Sequence, residues 1–535
     1  MKRSSSLTPL TVAFILLSPY PLWVVASSNN YKHQAFLQCL SSITKVIYTP
    51  INFSYFSVLD FSIQNLRFSK PETPKPIAII TPTHVSQIQV AIICSRTHGS
   101  LQIRTRSGGH DFEGLSYVAH HPFIILDLIN LRSISIDVKN NTAWVQSGAT
   151  VGELYYKIAE KSRTLAFPAG VCPSVGIGGF ISGGGYGYLL RKYGLAVDNV
   201  IDAYLVDANG EVHDRKSMGE DLFWAIRGGG GGSFGIVVAW KLRLVSVPAT
   251  VTICISNRTL KDGAIKLIYE WQYVADKLDE NLHLGILLNG GNISSEGGKP
   301  NPTASFLSLF LGKANKLLSI LNKTFPKLGV TKKDCTQTSW IESTLIEING
   351  SPTNNSLQTL LNRKSQSIGS FKIKSDYVQQ PIPLVAIRGI WERLKSQDVK
   401  ATTLDIVPYG GKMCKIFDLE TPFPHRAGNL YMIGYLVGWE NQSKEIEERH
   451  LSWIREIYNY MTPFVSKFPR AAYVNYRDLD IGTNTEYGKT SHEQASIWGF
   501  KYFGKNFNRL VHVKTKVDPY DLFRHEQSIP TLSPP

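Results

Sequence analysis

The sequence predicts an α+β protein whose N-terminal and central regions differ in the length of their predicted elements and in glycine content. Residues 75–106 alternate strand, helix and strand, an arrangement typical of a cofactor domain. The runs from there to about residue 250 are short, β-rich and interrupted by glycines. From about residue 251 to 467, amphipathic helices alternate with long strands and glycines are sparse. These observations indicate two domains, the first of which holds a cofactor.

The chain opens with the features of a secretory signal peptide. Lys2 and Arg3 precede an apolar region over residues 10–25, which ends in a small-residue cleavage site at Ala26. A membrane anchor is the less favoured alternative, because prolines interrupt the apolar region and polar residues follow it. We expect residues 1–26 to be removed, the mature protein to begin near Ser27, and no membrane association after that.

Charge and cysteine content exclude two classes of partner. The formal net charge of +15 would suit nucleic acid, but the basic residues are spread along the chain without a dense block or a nucleic-acid-binding module. We therefore expect a basic extracellular or vacuolar protein with no nucleic-acid partner. The six cysteines form no C-x-x-C or Cys/His cluster, so we predict no metal site.

Local signals place the elements of the first region in order. Residues 76–82 and 101–106 are predicted strands on either side of a helix from His84 to Thr97. Short strand runs follow over 123–128, 133–138 and 143–148. Turn and cap signals lie at Asn140-Asn141, at the Thr150/Glu153 capping box and at the Asn209-Gly210 hairpin.

The second region has longer elements. Residues 263–278 and 443–461 have the apolar spacing of helices. Alternating apolar residues predict strands over 281–289, 304–312, 367–378 and 429–439. No internal repeat or low-complexity segment accompanies them.

Two glycine-rich stretches are the first candidates for a site. The stretch Ala166–Gly187, AFPAGVCPSVGIGGFISGGGYG, lets the backbone lie directly against a flat, phosphorylated ligand. In RTRSGGHD, a glycine pair follows Arg106 and leaves His110 projecting from a turn. Taken singly, the first could be a linker without a ligand, and His110 could be a solvated or capping residue.

A third glycine run contains a misleading motif. Gly231 to Gly235 matches G-x-S-x-G, the nucleophile elbow of α/β-hydrolases, which requires a helix directly after the turn. Residues 236–244, IVVAWKLRL, are alternating and β-branched instead and predict a strand. We therefore interpret residues 228–235 as a cofactor loop and not as a hydrolase site.

Read together, several motifs give the chain a family resemblance. From about residue 34 to 530 it resembles the plant berberine bridge enzyme-like flavoprotein oxidases, within the vanillyl-alcohol oxidase type of FAD proteins. The motifs, in order, are RSGGHD, AFPAGVCPSVGIGG, RKYGLAVDN, EDLFWAIRGGGGGSFGIV, YVNYRDLDIG and DLFRHEQSIP.

The resemblance implies a domain organisation. A two-subdomain, PCMH-type FAD-binding domain would occupy residues 27–250, with a core at about 72–248. A substrate domain, an antiparallel sheet roofed by helices, would occupy 251–470. Residues 471–535, the berberine-like C-terminal segment, would return to complete the FAD domain.

The resemblance also implies how FAD is held. The histidine of RSGGHD and the cysteine of G-x-C-P carry two covalent bonds in the family, so His110 would bind the 8α carbon and Cys172 the 6 position. Imidazole and thiolate are chemically suited to this, because both are nucleophiles. The further cofactor-binding residues implied are Arg106, Ser107, Gly108, Gly109, Asp111, Ser116, Val175, Gly176, Gly178, Gly179, Gly183, Asn199, Gly235 and Val237.

The resemblance also assigns two of the remaining cysteines. It pairs Cys39 with Cys94 in a disulfide. We interpret Cys254, Cys335 and Cys414 as buried or free thiols.

Tyr476, in the NYRD motif, is the candidate base implied by the resemblance. To take a proton near neutrality, its pKa would have to fall well below the usual value of about 10, which requires a nearby cation or donor. Arg477 is adjacent but would point to the opposite face of a strand. The alternative is a core tyrosine with a satisfied hydroxyl. Tyr186 is assigned to the catalytic residues with Tyr476 and is expected beside the flavin as part of the pocket.

Departures from the family pattern bear on the substrate. Phe180 replaces a histidine that stabilises the reduced flavin in many members. Met432 and Gly434 replace a lysine and a glutamine of carbohydrate and monolignol oxidisers. Phe112 replaces a tyrosine, and Ile286 stands at the position of the cannabinoid cyclases' histidine. We assign the pocket to Phe112, Ile286, Tyr409, Met432, Gly434 and Tyr473, and expect a hydrophobic small-molecule substrate.

The predicted function is that of an FAD-linked oxidase. It would take a hydride from a C–H next to an oxygen or nitrogen of an alkaloid, terpenoid or phenolic metabolite, with ring closure as an optional second step. Val175 matches the small residue of oxygen-using members, so the acceptor would be O2 and the by-product H2O2. The alternatives are a carbohydrate or monolignol oxidase and a low-turnover secreted defence or allergen-like flavoprotein.

We further expect a monomeric glycoprotein of the secretory pathway, located in the apoplast and cell wall or in the vacuole. The acceptor sequons are Asn52, Asn140, Asn257, Asn292, Asn322, Asn349, Asn354 and Asn441.

Overall fold

A computed structural model gives the structure of the protein. It describes residues 33–98, 101–290, 301–349, 356–364, 369–395, 399, 401–440, 443–486 and 488–532. The α+β class predicted from the sequence is confirmed. The signal peptide predicted for residues 1–26 lies outside the described residues.

The first subdomain is built on a four-stranded sheet with the order β1-β2-β4-β3. Strands β2, β4 and β3 are parallel, and β1 joins β2 antiparallel. Helix α3 connects β2 to β3, as the strand–helix–strand pattern predicts. The elements are α1 (33–39), β1 (Ile47–Tyr48), α2 (Tyr55–Asp60), β2 (Ala78–Ile80), α3 (Val85–Thr97), β3 (Gln102–Arg106) and β4 (Phe123–Asp127).

The second subdomain carries a five-stranded antiparallel sheet with the order β5-β6-β10-β8-β9. Both predicted turns and the Thr150/Glu153 capping box are present. The elements are β5 (Ile134–Asp137), β6 (Thr142–Gln146), α4 (Val151–Lys161), β7 (Leu165–Ala166), α5 (Ile177–Ser182), α6 (Leu190–Tyr193), β8 (Val200–Val206), β9 (Val212–His213), α7 (Arg215–Ile226), β10 (Ile236–Arg243) and β11 (Val245–Ser246). Because β10 follows the glycine run as a strand, the hydrolase elbow is excluded.

The central region forms a seven-stranded antiparallel sheet with the order β15-β12-β14-β13-β17-β18-β16. Its strands are β12 (Val251–Arg258), β13 (Leu282–Asn289), β14 (Thr303–Phe310), β15 (Cys335–Thr338), β16 (Ser370–Val378), β17 (Thr402–Pro408) and β18 (Tyr431–Trp439). Its helices are α8 (Ala264–Trp271), α9 (Ala314–Thr324), α10 (Trp340–Asn349), α11 (Leu384–Leu394) and α12 (Lys444–Met461).

The two faces of this sheet have different neighbours. On one face, Ile286 and Leu404 pack with Trp271, Trp391 and Ile454 from the helices. On the other face, Val407 and Met432 join the core of the second subdomain. Since side chains alternate along a strand, every second residue of β13 and β17 faces the second subdomain.

The C-terminal residues pack on the first domain. Helices α13 (His492–Phe503) and α14 (Asn506–Val517) follow the central region. The buried ammonium of Lys514 donates to the backbone carbonyl of Ser233 at 2.8 Å, and Arg104 pairs with Glu526 at 2.8 Å. These contacts tie the end of the chain to the glycine run and to β3.

Two disulfides lie within the described residues. The predicted Cys39–Cys94 bond is confirmed and links α1 to α3. The interpretation of Cys254 and Cys335 as thiols was wrong, because they form a second disulfide between β12 and β15. The pairing of the two strands places these cysteines directly opposite each other. They are 81 positions apart in the sequence, so no local pattern indicates that they are neighbours. Cys414 is a free, exposed thiol.

Surface features bear on the secretory predictions. The asparagines of the sequons at Asn52, Asn140, Asn257 and Asn322 are all exposed, as glycan attachment requires. The side chains of the other four sequon asparagines lie outside the described residues. None of the helices described is both long enough and apolar enough to span a bilayer.

Candidate active site

A cavity of about 450 Å³ lies between the two subdomains and the face of the seven-stranded sheet that is not covered by helices. Its wall is mostly apolar, with a few polar groups converging on it, which is the usual character of a cofactor and substrate site. The wall is formed by parts of segments 103–116, 170–188, 226–237 and 473–477, by Asp405 and Val407 of β17, and by His283 and His525.

The loop after β3 carries His110 into the cavity. Asp111 fixes this loop by accepting from the backbone N–H groups of Glu113 and Leu115 at 2.9 and 3.1 Å, and it pairs with Arg477 at 3.3 Å. Burial lowers the pKa of His110 to about 4, so its ring is neutral at pH 7.

The second loop brings Cys172 to the same place. A Cβ on Gly108 would lie 2.4 Å from the backbone nitrogen of Gly176, so the two loops touch through their backbones. Only glycine permits that approach. Ser174 lies between the two candidate nucleophiles, with its Oγ 2.9 Å from His110 Nε2 and 3.6 Å from Cys172 Sγ.

The features of the cavity wall suit FAD. A Cβ on Gly179 would meet no atom within 4 Å, so this wall leaves open space for a flat group. The Oγ of Ser116 and Nε of Arg104 are buried without a hydrogen-bond partner among the described residues, and both residues line the cavity. Unpaired polar atoms of this kind call for a polar ligand.

A polar cluster of two tyrosines and a carboxylate faces the cavity. The hydroxyls of Tyr186 and Tyr476 are hydrogen-bonded to each other, and Tyr186 Oη donates to Asp405 Oδ2 at 3.2 Å. Burial raises the pKa of both tyrosines well above the ordinary value, which is the reverse of what a base needs. Burial also raises the pKa of Asp405, to about 6, which makes it the group of this cluster able to take a proton near neutrality.

Three predicted pocket residues pack on this cluster. Phe112 lies edge-on to the Tyr476 ring with centroids 5.5 Å apart. Gly434 is the register partner of Asp405 on β18, and a Cβ there would lie 2.9 Å from the Tyr476 ring. Because Gly434 has no side chain, the Tyr476 ring can lie beside Asp405. Tyr473 also lines the cavity and accepts from the N–H of Gly185 at 2.9 Å.

Most predicted cofactor-binding residues are brought to the cavity wall. These are Ser107, Gly108, Gly109, His110, Asp111, Ser116, Cys172, Val175, Gly176, Gly178, Gly179, Gly235 and Val237.

Three predicted cofactor-binding residues lie elsewhere. Arg106 is fully buried in an ion pair with Asp127 at 2.7 Å, because its guanidinium serves the interior of the first subdomain. The Asn199 amide donates to the carbonyls of residues 193 and 195 and closes a local turn. Gly183 is pressed against the Asn475 side chain, which a Cβ would meet at 2.1 Å.

Three predicted pocket residues are also displaced from the wall. Ile286 points to the helix-covered face of the sheet. Tyr409 is buried against Tyr377, with ring centroids 5.8 Å apart. Met432 lies in the core beside its register partner Val407, behind the cavity surface.

His283 and Asp405 are the principal residues that sequence reasoning missed. His283 lines the cavity from β13, and its ring lies 4.7 Å from that of Tyr188. Its Nδ1 is buried without a hydrogen-bond partner in the described part of the chain. Burial, reinforced by Arg191, lowers its pKa to about 3, so the imidazole is neutral. Each is the one ionisable residue of its strand, β13 or β17, and that is the signal that could have found them.

The fold and the cavity define an FAD-binding oxidoreductase with a PCMH-type fold. The family model described as "FAD binding domain" matches residues 76–215, and the one described as "Berberine and berberine like" matches residues 472–530. The chain is 50% identical to berberine bridge enzyme-like 18 of Arabidopsis thaliana, over 99% of this chain and 98% of that protein. It is also 50% identical to tetrahydroberberine oxidase of Berberis wilsoniae, over 97% of each chain.

Solved structures agree with these relatives. Berberine bridge enzyme-like 28 of Arabidopsis thaliana superposes with a TM-score of 0.89 at 50% identity, over 94% of this chain and all of that one. The grass pollen allergen Phl p 4, described as having glucose dehydrogenase activity, superposes with a TM-score of 0.88 at 45% identity, over 93% of this chain and all of that one. The protein belongs to the berberine bridge enzyme-like family of FAD-dependent oxidases.

Proposed function

We propose that the protein oxidises a C–H bond next to an oxygen or nitrogen of a hydrophobic plant metabolite of the alkaloid, terpenoid or phenolic class. The observation that carries the proposal is the cluster of Asp405, Tyr186 and Tyr476, set in a mostly apolar wall. An apolar cavity with one proton-accepting cluster suits a substrate that is hydrophobic apart from its reacting heteroatom. Ring closure as a second step stays part of the proposal.

FAD, when bound, supplies the hydride acceptor, and O2 accepts the electrons to give H2O2. The residues of the chain handle the proton. Asp405 takes the proton from the substrate's hydroxyl or amine, because a carboxylate with a pKa of about 6 is both ionised and basic near neutrality. Tyr476 keeps its own proton and positions the substrate heteroatom by a hydrogen bond, while Tyr186 orients Asp405.

His110 and Cys172 are proposed to hold FAD through two covalent bonds. Both lie at the cavity and converge on the Ser174 hydroxyl from two loops. Each attachment would break one C–H bond of the cofactor and the N–H or S–H bond of the side chain and form one C–N or C–S bond. The two protons and two electrons released would reduce one O2 to H2O2. With two tethers, the cofactor would not dissociate.

The acceptor is proposed to be O2, with Val175 as the small residue on the path. Val175 lines the cavity three residues after Cys172. Among the solved grass pollen relatives, wild-type Phl p 4 is described as a glucose dehydrogenase and an isoleucine-to-valine variant as a glucose oxidase. A change of one methyl group in that protein therefore accompanies a change of acceptor, which supports a role for valine in this chain.

The relatives favour different substrates, so a second candidate is kept. The name of tetrahydroberberine oxidase supports an alkaloid. The glucose dehydrogenase activity of Phl p 4 supports a carbohydrate, and the unpaired His283 would suit a hydroxyl-bearing ligand. The absence of lysine and glutamine at Met432 and Gly434 argues against carbohydrate and monolignol substrates. A low-turnover secreted flavoprotein is the non-enzymatic alternative, which the isoallergen relative supports.

The deciding experiment uses the full chain expressed in a secreting eukaryotic host and purified from the medium. Flavin colour that remains with acid-precipitated protein, and H2O2 formed with O2 consumption, would support the proposal. The panel contains tetrahydroprotoberberine alkaloids, terpenoid and phenolic alcohols, glucose and oligosaccharides. Turnover restricted to the sugars would establish the second candidate. Covalent flavin without turnover of any member would favour the low-turnover protein, and released flavin would contradict the covalent assignment.

A further inference from the structure

A single buried hydroxyl lies between the two residues proposed to hold FAD. Ser174 is 2% exposed, and its Oγ is 2.9 Å from Nε2 of His110 and 3.6 Å from Sγ of Cys172. His110 and Cys172 come from different loops and are separated by 61 residues of the chain. Among the described residues, no other atom is hydrogen-bonded to both side chains.

A hydroxyl can accept one hydrogen bond while it donates another. When Nε2–H of His110 donates to Ser174 Oγ, the lone pair of the imidazole is on Nδ1 and is free to form a bond. The Ser174 proton can then point to Cys172 Sγ, where it stabilises the thiolate. The thiolate, and not the thiol, is the nucleophilic form of cysteine. One orientation of the Ser174 hydroxyl therefore prepares both side chains.

The position of Ser174 does not depend on its hydroxyl. The carbonyls of its neighbours Pro173 and Val175 accept from the N–H groups of Gly152 and Val151 at 3.0 and 2.9 Å. Gly176 beyond them packs on Gly108 through the backbone. Removal of Oγ should therefore leave the loop in place and change only the contacts with His110 and Cys172.

We propose that Ser174 is a positioning residue for covalent attachment of FAD, selecting the reactive forms of His110 and Cys172. The inference rests on the proposed function, since it presumes that both bonds form. Ser174 itself forms no covalent bond. At each attachment one proton would leave the cofactor carbon and one the imidazole or thiol, and these two protons and the two electrons would reduce one O2 to H2O2.

The test compares wild type with Ser174→Ala and Ser174→Thr, each produced under riboflavin limitation and then mixed with FAD in air. Intact mass and the absorbance of acid-denatured protein follow attachment, and flavin-peptide mapping tells whether the peptide of His110, of Cys172 or of both is bound. We expect attachment in Ser174→Ala to be about 10- to 100-fold slower at one or both residues, the range expected for loss of a hydrogen bond to a charged group. Ser174→Thr, which keeps the hydroxyl, should recover most of the rate.

Controls distinguish failure of the covalent assignment from failure of the role proposed for Ser174. Ser95→Ala removes another buried serine hydroxyl of the same domain, outside the cavity, and should attach FAD at the wild-type rate. His110→Ala and Cys172→Ala give the mass and spectrum of each single bond. If wild type never forms both bonds, the covalent assignment fails. If wild type forms both and Ser174→Ala forms them equally fast, the assignment stands and the role of Ser174 is overturned.

Discussion

At Asp405, burial and hydrogen bonding act on the carboxyl pKa in opposite directions. Burial raises it and the bond from Tyr186 lowers it, and the result is a pKa of about 6. Because the carboxylate is the form that accepts a proton, activity should rise with pH through about 6 and then level off. Asp405→Asn should lower kcat by about 100-fold or more, the usual scale for a lost general base.

The measurement is a kcat/KM profile from pH 4.5 to 8 with the best substrate of the panel. The variant should lack the limb near pH 6 while keeping its full complement of covalent flavin. The exposed Asp137 provides a matched Asp→Asn change remote from the cavity, and Asp137→Asn should behave as wild type. Unchanged kcat in Asp405→Asn would remove this residue from the mechanism and return the role of base to Tyr476.

His283 offers a test of substrate selection at the same scale. Its neutral ring and unpaired Nδ1 can bind a hydroxyl but cannot pair with a carboxylate as a cation would. His283→Leu should raise KM by about 10-fold for a hydroxyl-bearing substrate and by less for its O-methyl analogue. His283→Gln, which keeps a hydrogen-bonding group, should fall between. Equal effects on both substrates would show that His283 only fills space.

The site residues differ in how far the sequence reveals them. His110 and Cys172 stand in long glycine motifs, where local backbone chemistry is visible. Ile286 and His283 lie on one strand, and their faces are decided by alternation and by the pairing of β13 with β14 and β17. They are three positions apart, and because an odd step along a strand changes the face, His283 faces the cavity wall and Ile286 the helix-covered core. That pairing is long-range and has no local signal.

At the scale of elements, the Cys254–Cys335 disulfide ties edge strand β15 to β12 and closes a loop of 81 residues. Disulfides typically contribute about 2–4 kcal/mol, mainly because the bond restricts the unfolded chain, and a loop of this length favours the upper end of that range. The double change Cys254→Ala and Cys335→Ala should lower the unfolding free energy by that amount, measured by urea denaturation. Cys414→Ser, at a free and exposed thiol, should leave stability unchanged.

Equal unfolding free energies for the double variant and wild type would mean that strain in the folded protein, or residual structure in the unfolded chain, cancels the entropic gain of the bond. Flavin attachment should be normal in either case, since β15 is at the edge of the sheet away from β17 and β18.

The turns at Asn140-Asn141 and Asn209-Gly210 were predictable because both depend on neighbouring residues. The strand order that places β15 beside β12 depends on contacts across the domain and could not be read locally.

At the scale of the whole molecule, a buried ionic network joins the parts of the chain that surround the cavity. Lys372 and Lys374 of β16 both pair with Asp478 of the C-terminal segment, at 2.7 and 2.6 Å. Lys372 also pairs with Glu113 of the loop that follows His110. The ammonium groups and the Asp478 carboxylate are almost completely buried. The seven-stranded sheet, the His110 loop and the C-terminal segment therefore share one set of charges.

Removal of one charge from this network should cost far more than removal of a surface charge. Lys374→Met leaves carboxylates with one cation fewer in a buried site, which should destabilise the protein by about 3–5 kcal/mol. Lys444 forms an exposed pair with Glu448 at 3.8 Å, so Lys444→Met should change stability by less than about 1 kcal/mol. Chemical denaturation at pH 7 of both variants gives the comparison. Similar small losses would show that the network adds little to stability.

The same network predicts how stability responds to acid. Burial alone would raise the pKa of Asp480, but Arg455, Lys372 and Lys374 outweigh it and hold the pKa well below the ordinary value. A carboxyl with a depressed pKa in the folded protein contributes stability that is fully present above about pH 4 and is lost as the pH falls further. Lys374→Met removes one of these cations, so the variant should lose less additional stability than wild type between pH 5 and 3. Parallel curves for the two proteins would show that Asp480 draws its low pKa from Arg455 and Lys372 alone.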